Sequence, residues 1–466
     1  MFAILSCPLL LITLSAEPQP KDSKTSPIVG LWEGALKVGA VNLRLAFKIA
    51  ELPDKGLSAT MDSIDQGAKG IPVDKVTLAD NKLTLELPKL KATFSGTVAA
   101  DLNSVKGEWK QADTAFPLEI KRVEKISEVR RPQTPQPPFP YVAEEVTFEN
   151  KTAALKLAGT LTKPKGDGPF PAVILITGSG PQDRDETLFN HKPFMVLADH
   201  LSRKGIAVLR YDDRGVGKST GEFIKATTAD FATDVQAAIA FLKERKEIDA
   251  KKIGLMGHSE GGLIAPIVAA QNPEVAFIVL LAGPGVSGEE ILIMQGQALL
   301  KAMKADEKTF AFQKKIQEKL FKLIREGADA KAIEAALQDA LKEIPEKTKK
   351  AAEAQLKASE KMLGTVWMRY FLTYDPRNDL KKVRCPVLAV NGEKDLQVPP
   401  AENLSEIEKA LKGAGNKDVT IQEFKGLNHL FQTCQTGLLD EYGKIEETFA
   451  PAALDVITEW ILKRAK

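Results

Sequence analysis

An apolar run that ends in a glycine, a serine and a second glycine, and then resumes as an apolar helix, can fold in very few ways. Lys252-Ile253-Gly254-Leu255-Met256 leads into Gly257-His258-Ser259-Glu260-Gly261, and Gly262-Leu263-Ile264-Ala265 follows. The pattern predicts a buried strand, a sharp turn and a helix packed back against the strand. Glycines at 257 and 261 let the turn form and the two elements approach closely, because they carry no Cβ. A serine at the apex of such a turn projects its hydroxyl where a base can reach it from one side and a substrate from the other. Ser259 is therefore a candidate nucleophile. The competing reading of the same letters is an ordinary glycine-rich strand-to-helix turn, so the rest of the chain must decide.

The histidines narrow the choice. There are four: His191, His200, His258 and His429. Where a serine nucleophile sits on such a turn, the partners follow in the order carboxylate, then histidine. Only His429 lies beyond Ser259 outside the motif. It follows the strand-like Val419-Thr420-Ile421-Gln422-Glu423-Phe424, so it is placed on the rim where parallel strands end. His258 reads as a packing or turn-stabilising residue, and His191 and His200 as surface or structural ones. The carboxylate should follow another strand between the two. Cys385–Asn391 is that strand, and the loop after it offers Asp395, with Glu393 as the alternative. A carboxylate there would hold the imidazole tautomer and stabilise the imidazolium.

Backbone N–H groups for a developing oxyanion need no particular side chain, only a turn that aims them. The apolar run Ala172–Thr177 ends in Gly178-Ser179-Gly180-Pro181. Ser179, with Gly180 as the alternative, is expected to act with Glu260, the residue after the nucleophile.

The set Gly178–Asp185, Arg210–Ser219, Gly257–Gly262, Asn391–Pro399 and Leu427–Leu430 resembles the EstD-type branch of bacterial α/β-hydrolase carboxylesterases, over roughly residues 140–466. The resemblance implies cofactor-free and metal-free hydrolysis of short-chain carboxylic esters by Ser259, Asp395 and His429. It also implies a β-rich module ahead of the hydrolase domain. Gly217-Lys218-Ser219 superficially matches the end of a phosphate-binding loop, but the position of its first glycine is Asp212, whose charge would repel phosphate. Asp212, Asp213 and Arg214 are expected to form salt bridges or cap the loop.

At 466 residues more than one domain is expected. Phe2–Leu14 is apolar and short, with Ala16 at a possible cleavage point, although no Lys or Arg precedes it. Residues 1–16 read as an atypical export signal rather than a stable membrane span. Residues 27–125 alternate apolar with polar at Leu43–Ile49, Lys82–Leu87 and Pro117–Ile120, with turn residues between. This predicts an antiparallel sandwich or small barrel, with Trp32 and Trp109 as core fillers. Proline recurs through 126–141, predicting a stiff extended linker. From 142 to 466 strands and helices alternate as in a doubly wound parallel sheet, interrupted from about 288 to 379 by Ala/Lys/Glu/Leu-rich helical segments at 291–324, 329–344 and 349–363. These form a cap, and Trp367, Met368, Tyr370 and Phe371 are candidate walls of an acyl pocket where it returns to the rim.

Sixty-four basic and 62 acidic residues give a net charge of +2, which carries no nucleic-acid footprint. Cys385 and Cys434 lie at opposite ends of the sheet and are expected to be free thiols. The partner is then a small-molecule ester, and oligomeric state is not legible. Two other readings share the residues: a serine peptidase or amidase on the same triad, and a non-catalytic ligand-binding protein with the β module as its binder.

Overall fold

The computed structural model describes residues 26–38, 41–53, 56–66, 68–111, 114–127, 130–342 and 363–465. The apolar stretch at 2–14 and all but the end of the expected helix at 349–363 lie outside the described residues.

Residues 30–123 form one nine-stranded sheet in which every neighbour is antiparallel. The sheet curls until Leu57–Ser63 approaches Lys75–Ala79, so it is a nearly closed barrel rather than a sandwich. Alternation is the cause: in Lys82–Leu87 every second residue, Leu83, Leu85 and Leu87, is buried. The interior is filled by Trp32, Phe47, Phe94 and Trp109, with Phe47 and Phe94 stacked at 6.1 Å.

The second sheet has eight strands: β1 (Val142–Asn150), β2 (Leu155–Lys163), β3 (Phe170–Ile176), β4 (Ala207–Tyr211), β5 (Ile248–His258), β6 (Ile278–Leu281), β7 (Val387–Gly392) and β8 (Val419–Phe424), in the order β1-β2-β4-β3-β5-β6-β7-β8. From β3 onward all neighbours are parallel, and β1 and β2 add an antiparallel edge. The parallel strands are buried on both faces and read as near-continuous apolar runs. Helices Thr228–Lys243, Gly261–Gln271 and Pro400–Gly413 cover one face, and Pro193–Arg203 and Pro451–Arg464 the other. Cys385 and Cys434 are free.

Between β6 and β7 the chain leaves the sheet. The expected single helix at 291–324 is two, Gly288–Ala302 and Glu307–Arg325, because Lys304 takes a left-handed φ of 56° and Asp306 caps a new start. Ala330–Lys342 follows, and Val366–Thr373 returns to the rim.

The proline-rich segment is not a free spacer. Arg131 donates to the carbonyls of Phe189, Gly443 and Ile445 at 2.8 Å each. Gln133 bonds both ways to the backbone of Thr448 and Phe449. A guanidinium placed against converging carbonyls satisfies three acceptors at once, and this outweighs the freedom that the prolines already restrict. Burial pulls the Arg131 pKa down to about 10 despite nearby carboxylates.

Candidate active site

β5 ends at His258, and Ser259 stands alone in left-handed backbone with φ 52° before the helix Gly261–Gln271 begins. A non-glycine residue there is strained by about 1–3 kcal/mol, a cost the surroundings must offset. Part of the offset is the Ser259 N–H bonded to Leu281 O at 2.9 Å on the neighbouring strand. The flanking glycines are obligatory for contact reasons: a Cβ at 257 would lie 1.9 Å from Gly261 O, and one at 261 would lie 2.2 Å from Ile176 O.

His429 sits in a tight turn after β8. Asn428 Oδ1 accepts from the N–H groups of Leu430 and Gln432, and its Nδ2 donates to Gln432 Oε1. The imidazole therefore projects from a rigid base. Its Nδ1 lies 2.7 Å from Asp395 Oδ2, and the two side chains are 5% and 0% exposed. Asp395 Oδ1 accepts the N–H groups of Gln397 and Val398, so the carboxylate is held by backbone while its second oxygen serves the histidine. Glu393, the alternative acid, instead accepts Gly426 N–H at 2.8 Å and staples the histidine loop from outside.

Ser259 and His429 line one cavity of about 210 Å³. Among the described residues no hydrogen bond joins Ser259 Oγ to His429 Nε2; such contacts commonly tighten only when substrate is bound. The cavity is otherwise walled by Phe223, Ile291, Leu292, Trp367, Met368 and Phe371, with no Lys or Arg among its lining residues. Trp367 and Phe371 stack at 4.9 Å. Tyr370, also an expected wall, turns away and stacks on Tyr374 at 5.6 Å.

The loop after β3 faces the same space. Gly178 N–H is spent on Glu186 Oε1 at 2.7 Å, whereas the N–H groups of Ser179 and Glu260 donate to no protein group among the described residues. Gly180, the alternative, also lines the cavity, with a left-handed φ of 98°. Two buried aspartates hold this loop. Asp213 accepts from Thr177 Oγ1 and Gln182 N, and Asp212 pairs with Arg184 through two side-chain bonds. Arg210 pairs with Asp185, and Arg214 with Asp234. The Asp212–Arg214 segment is thus a staple for the 178–186 loop. Behind it, burial drives Glu260 above the ordinary carboxylate value, against hydrogen bonds from Thr228, Trp367 and Ser179.

Sequence reasoning missed Glu186. It follows directly on the quoted 178–185 motif, and its carboxylate joins Gly178 N–H to His258 Nδ1 at 2.9 Å. His258 does brace the turn, as expected, through Nε2 to His429 O at 3.0 Å. His191 is structural and fully buried: Nδ1 meets Thr448 Oγ1 at 2.8 Å, and Nε2 meets Tyr442 O at 3.0 Å. His200 is half-buried near Asp455.

Residues 192–433 match the family described as serine aminopeptidase S33, the segment that carries the serine turn, the aspartate and the histidine. The chain belongs to this α/β-hydrolase family. It is 30% identical to the esterase EstD of Thermotoga maritima over 296 residues, 63% of this chain and 62% of that protein. It therefore spans less than two thirds of that relative. It is 27% identical to the human serine hydrolase BPHL over 294 residues, 61% of this chain and 80% of that protein. Among solved structures it resembles the Pyrococcus furiosus esterase Pf2001 at 17% identity and a TM-score of 0.44, covering 74% of this chain and 100% of the other. The family assignment and the EstD likeness agree with the resemblance read from the motifs.

Proposed function

We propose that the protein hydrolyses small, uncharged carboxylic esters through an acyl-enzyme on Ser259. His429 Nε2 takes the proton as Ser259 Oγ attacks the carbonyl carbon, and Asp395 stabilises the imidazolium that forms. The carbonyl oxygen, now anionic, is received by the N–H groups of Ser179 and Glu260. His429 returns the proton to the leaving alkoxide, and water repeats the sequence on the acyl-enzyme. The observation that carries this reading is the buried 2.7 Å His429–Asp395 bond beside a strained serine turn in one cavity.

The lining argues for the substrate class. An amine-bearing peptide would need a free carboxylate to receive its ammonium group. The two carboxylates in the lining, Glu186 and Glu260, are already engaged by protein donors. A cavity of about 210 Å³ falls below the range of ~300–1,000 Å³ typical of drug-sized ligands, which favours short acyl groups. Each CH₂ that fits adds ~0.8 kcal/mol, so kcat/KM should rise and then fall along an acyl series. We extend the proposal to export, on the apolar segment at 2–14; N-terminal sequencing of the mature protein tests that part.

Fluorophosphonate labelling with peptide mapping is the deciding experiment. It should modify Ser259 alone, and labelling of Ser259→Ala at the wild-type rate would reject the nucleophile. No labelling and no turnover would favour a non-catalytic binder. Matched nitrophenyl esters and anilides then separate esterase from peptidase, and a series from acetate to palmitate reads the acyl length.

A further inference from the structure

The catalytic histidine candidate has a second imidazole as neighbour: the rings of His258 and His429 lie 4.7 Å apart, inclined at 47°. Both nitrogens of His258 meet acceptors. Nε2 lies 3.0 Å from the carbonyl oxygen of His429, which can only accept. Nδ1 lies 2.9 Å from Glu186 Oε1, and that same oxygen already accepts Gly178 N–H at 2.7 Å. A neutral imidazole has one N–H and would leave one of these contacts lone pair to lone pair. Only the imidazolium donates from both nitrogens.

We propose that His258 is an imidazolium paired with Glu186, a positioning residue whose two N–H donors tie the 178–186 loop to the backbone of His429. The inference rests on the reading of His429 as the general base. The carbonyl that receives His258 Nε2 belongs to His429 itself, so the charged bond holds the backbone from which the base projects, while Nδ1 holds Glu186 and through it Gly178 N–H. Tyr442, whose hydroxyl bonds to Gln397 beside the same turn, is held un-ionised by burial and adds no charge. Burial alone would discharge His258, yet the charge and hydrogen bond of Glu186 and the His429 carbonyl hold its pKa above the ordinary histidine value.

Four histidines make the test tractable in the full-length protein. Ring-nitrogen NMR of ¹⁵N-histidine-labelled enzyme should show one imidazole protonated at both nitrogens through neutral pH, absent from His258→Gln. In the same variant kcat for nitrophenyl acetate should fall on the order of 10²-fold with KM little changed, as displacement of the base by about 1 Å predicts. A His258 signal that is neutral at pH 7, or an unchanged kcat, overturns the proposal. Should His258→Gln not fold, Glu186→Gln must make His258 lose its second proton at lower pH than in the wild type. An unchanged titration also overturns it. An ester rate that survives His429→Ala would instead reject the general-base reading, and leaves the NMR result standing by itself.

Discussion

At the scale of single residues, the site depends on groups that give both valences to fixed partners. Asp395 is the sharpest case, since one oxygen is held by two backbone N–H groups and the other by His429. Asp395→Asn keeps the shape but presents the wrong hydrogen to Nδ1, and kcat should fall on the order of 10⁴-fold. Glu393→Gln should leave kcat near normal, because its contact is with Gly426 N–H; a crippled Glu393→Gln with an active Asp395→Asn would reverse the assignment. Ser259, His429 and Asp395 were legible because chain order and strand ends are properties of the sequence. Glu186 was not, since its role exists only through a partner 72 positions away. His191 was also opaque. Nothing in its neighbourhood along the chain reveals that it is enclosed by Tyr442, Thr448 and Gln432, residues about 250 positions further on.

At the scale of elements, two segments owe their position to side chains outside the cavity lining. The 178–186 loop is tied to Asp212 by Arg184, and both side chains are largely buried. Arg184→Met removes one partner of that pair and should cost roughly 3–5 kcal/mol of stability. A shift of the loop by about 1 Å should also lower kcat on the order of 10²-fold with less effect on KM. Steady-state kinetics and thermal melts of the variant check both. The 442–449 segment is pinned by His191, whose pKa is lowered to about 4, first by burial and then by Arg131. The native state therefore binds fewer protons than the unfolded chain between about pH 6.5 and 4. Stability from this group is complete above 6.5 and is lost as pH falls toward 4, by about 3 kcal/mol in all. Replacing His191 with Gln should flatten the fall in melting temperature between pH 7 and 4.5. The cap illustrates what periodicity hides: amphipathic spacing located its helices, but the break at Lys304 depends on one residue adopting a left-handed turn.

At the scale of the whole molecule, the β module and the hydrolase sheet are joined by more than a tether. Composition correctly signalled that proline stiffens 126–141, yet it could not signal docking, because the acceptors of Arg131 are backbone carbonyls that any sequence possesses. Arg131→Ala should destabilise the protein by about 2 kcal/mol, since charged hydrogen bonds to three part-buried carbonyls are lost. A chain beginning at Pro140 should show the same loss together with reduced ester turnover. The 443–450 segment backs the histidine turn, with Phe449 stacked on Phe431 at 5.1 Å and Ala450 N bonded to Phe431 O. Equal melting temperatures and equal kcat for the short and full chains would show that the clamp contributes nothing.

The clamp also imposes a chronology. Arg131 and its acceptor Gly443 are separated by 312 positions. At ribosomal speeds of roughly 5–20 residues per second, the arginine waits about 15–60 s for its partner to be synthesised. During that interval the barrel, whose strands are all made early, can finish folding while the histidine turn has no backing. The segment that backs the histidine turn is thus the last connector to be placed, beneath an arginine that left the ribosome long before.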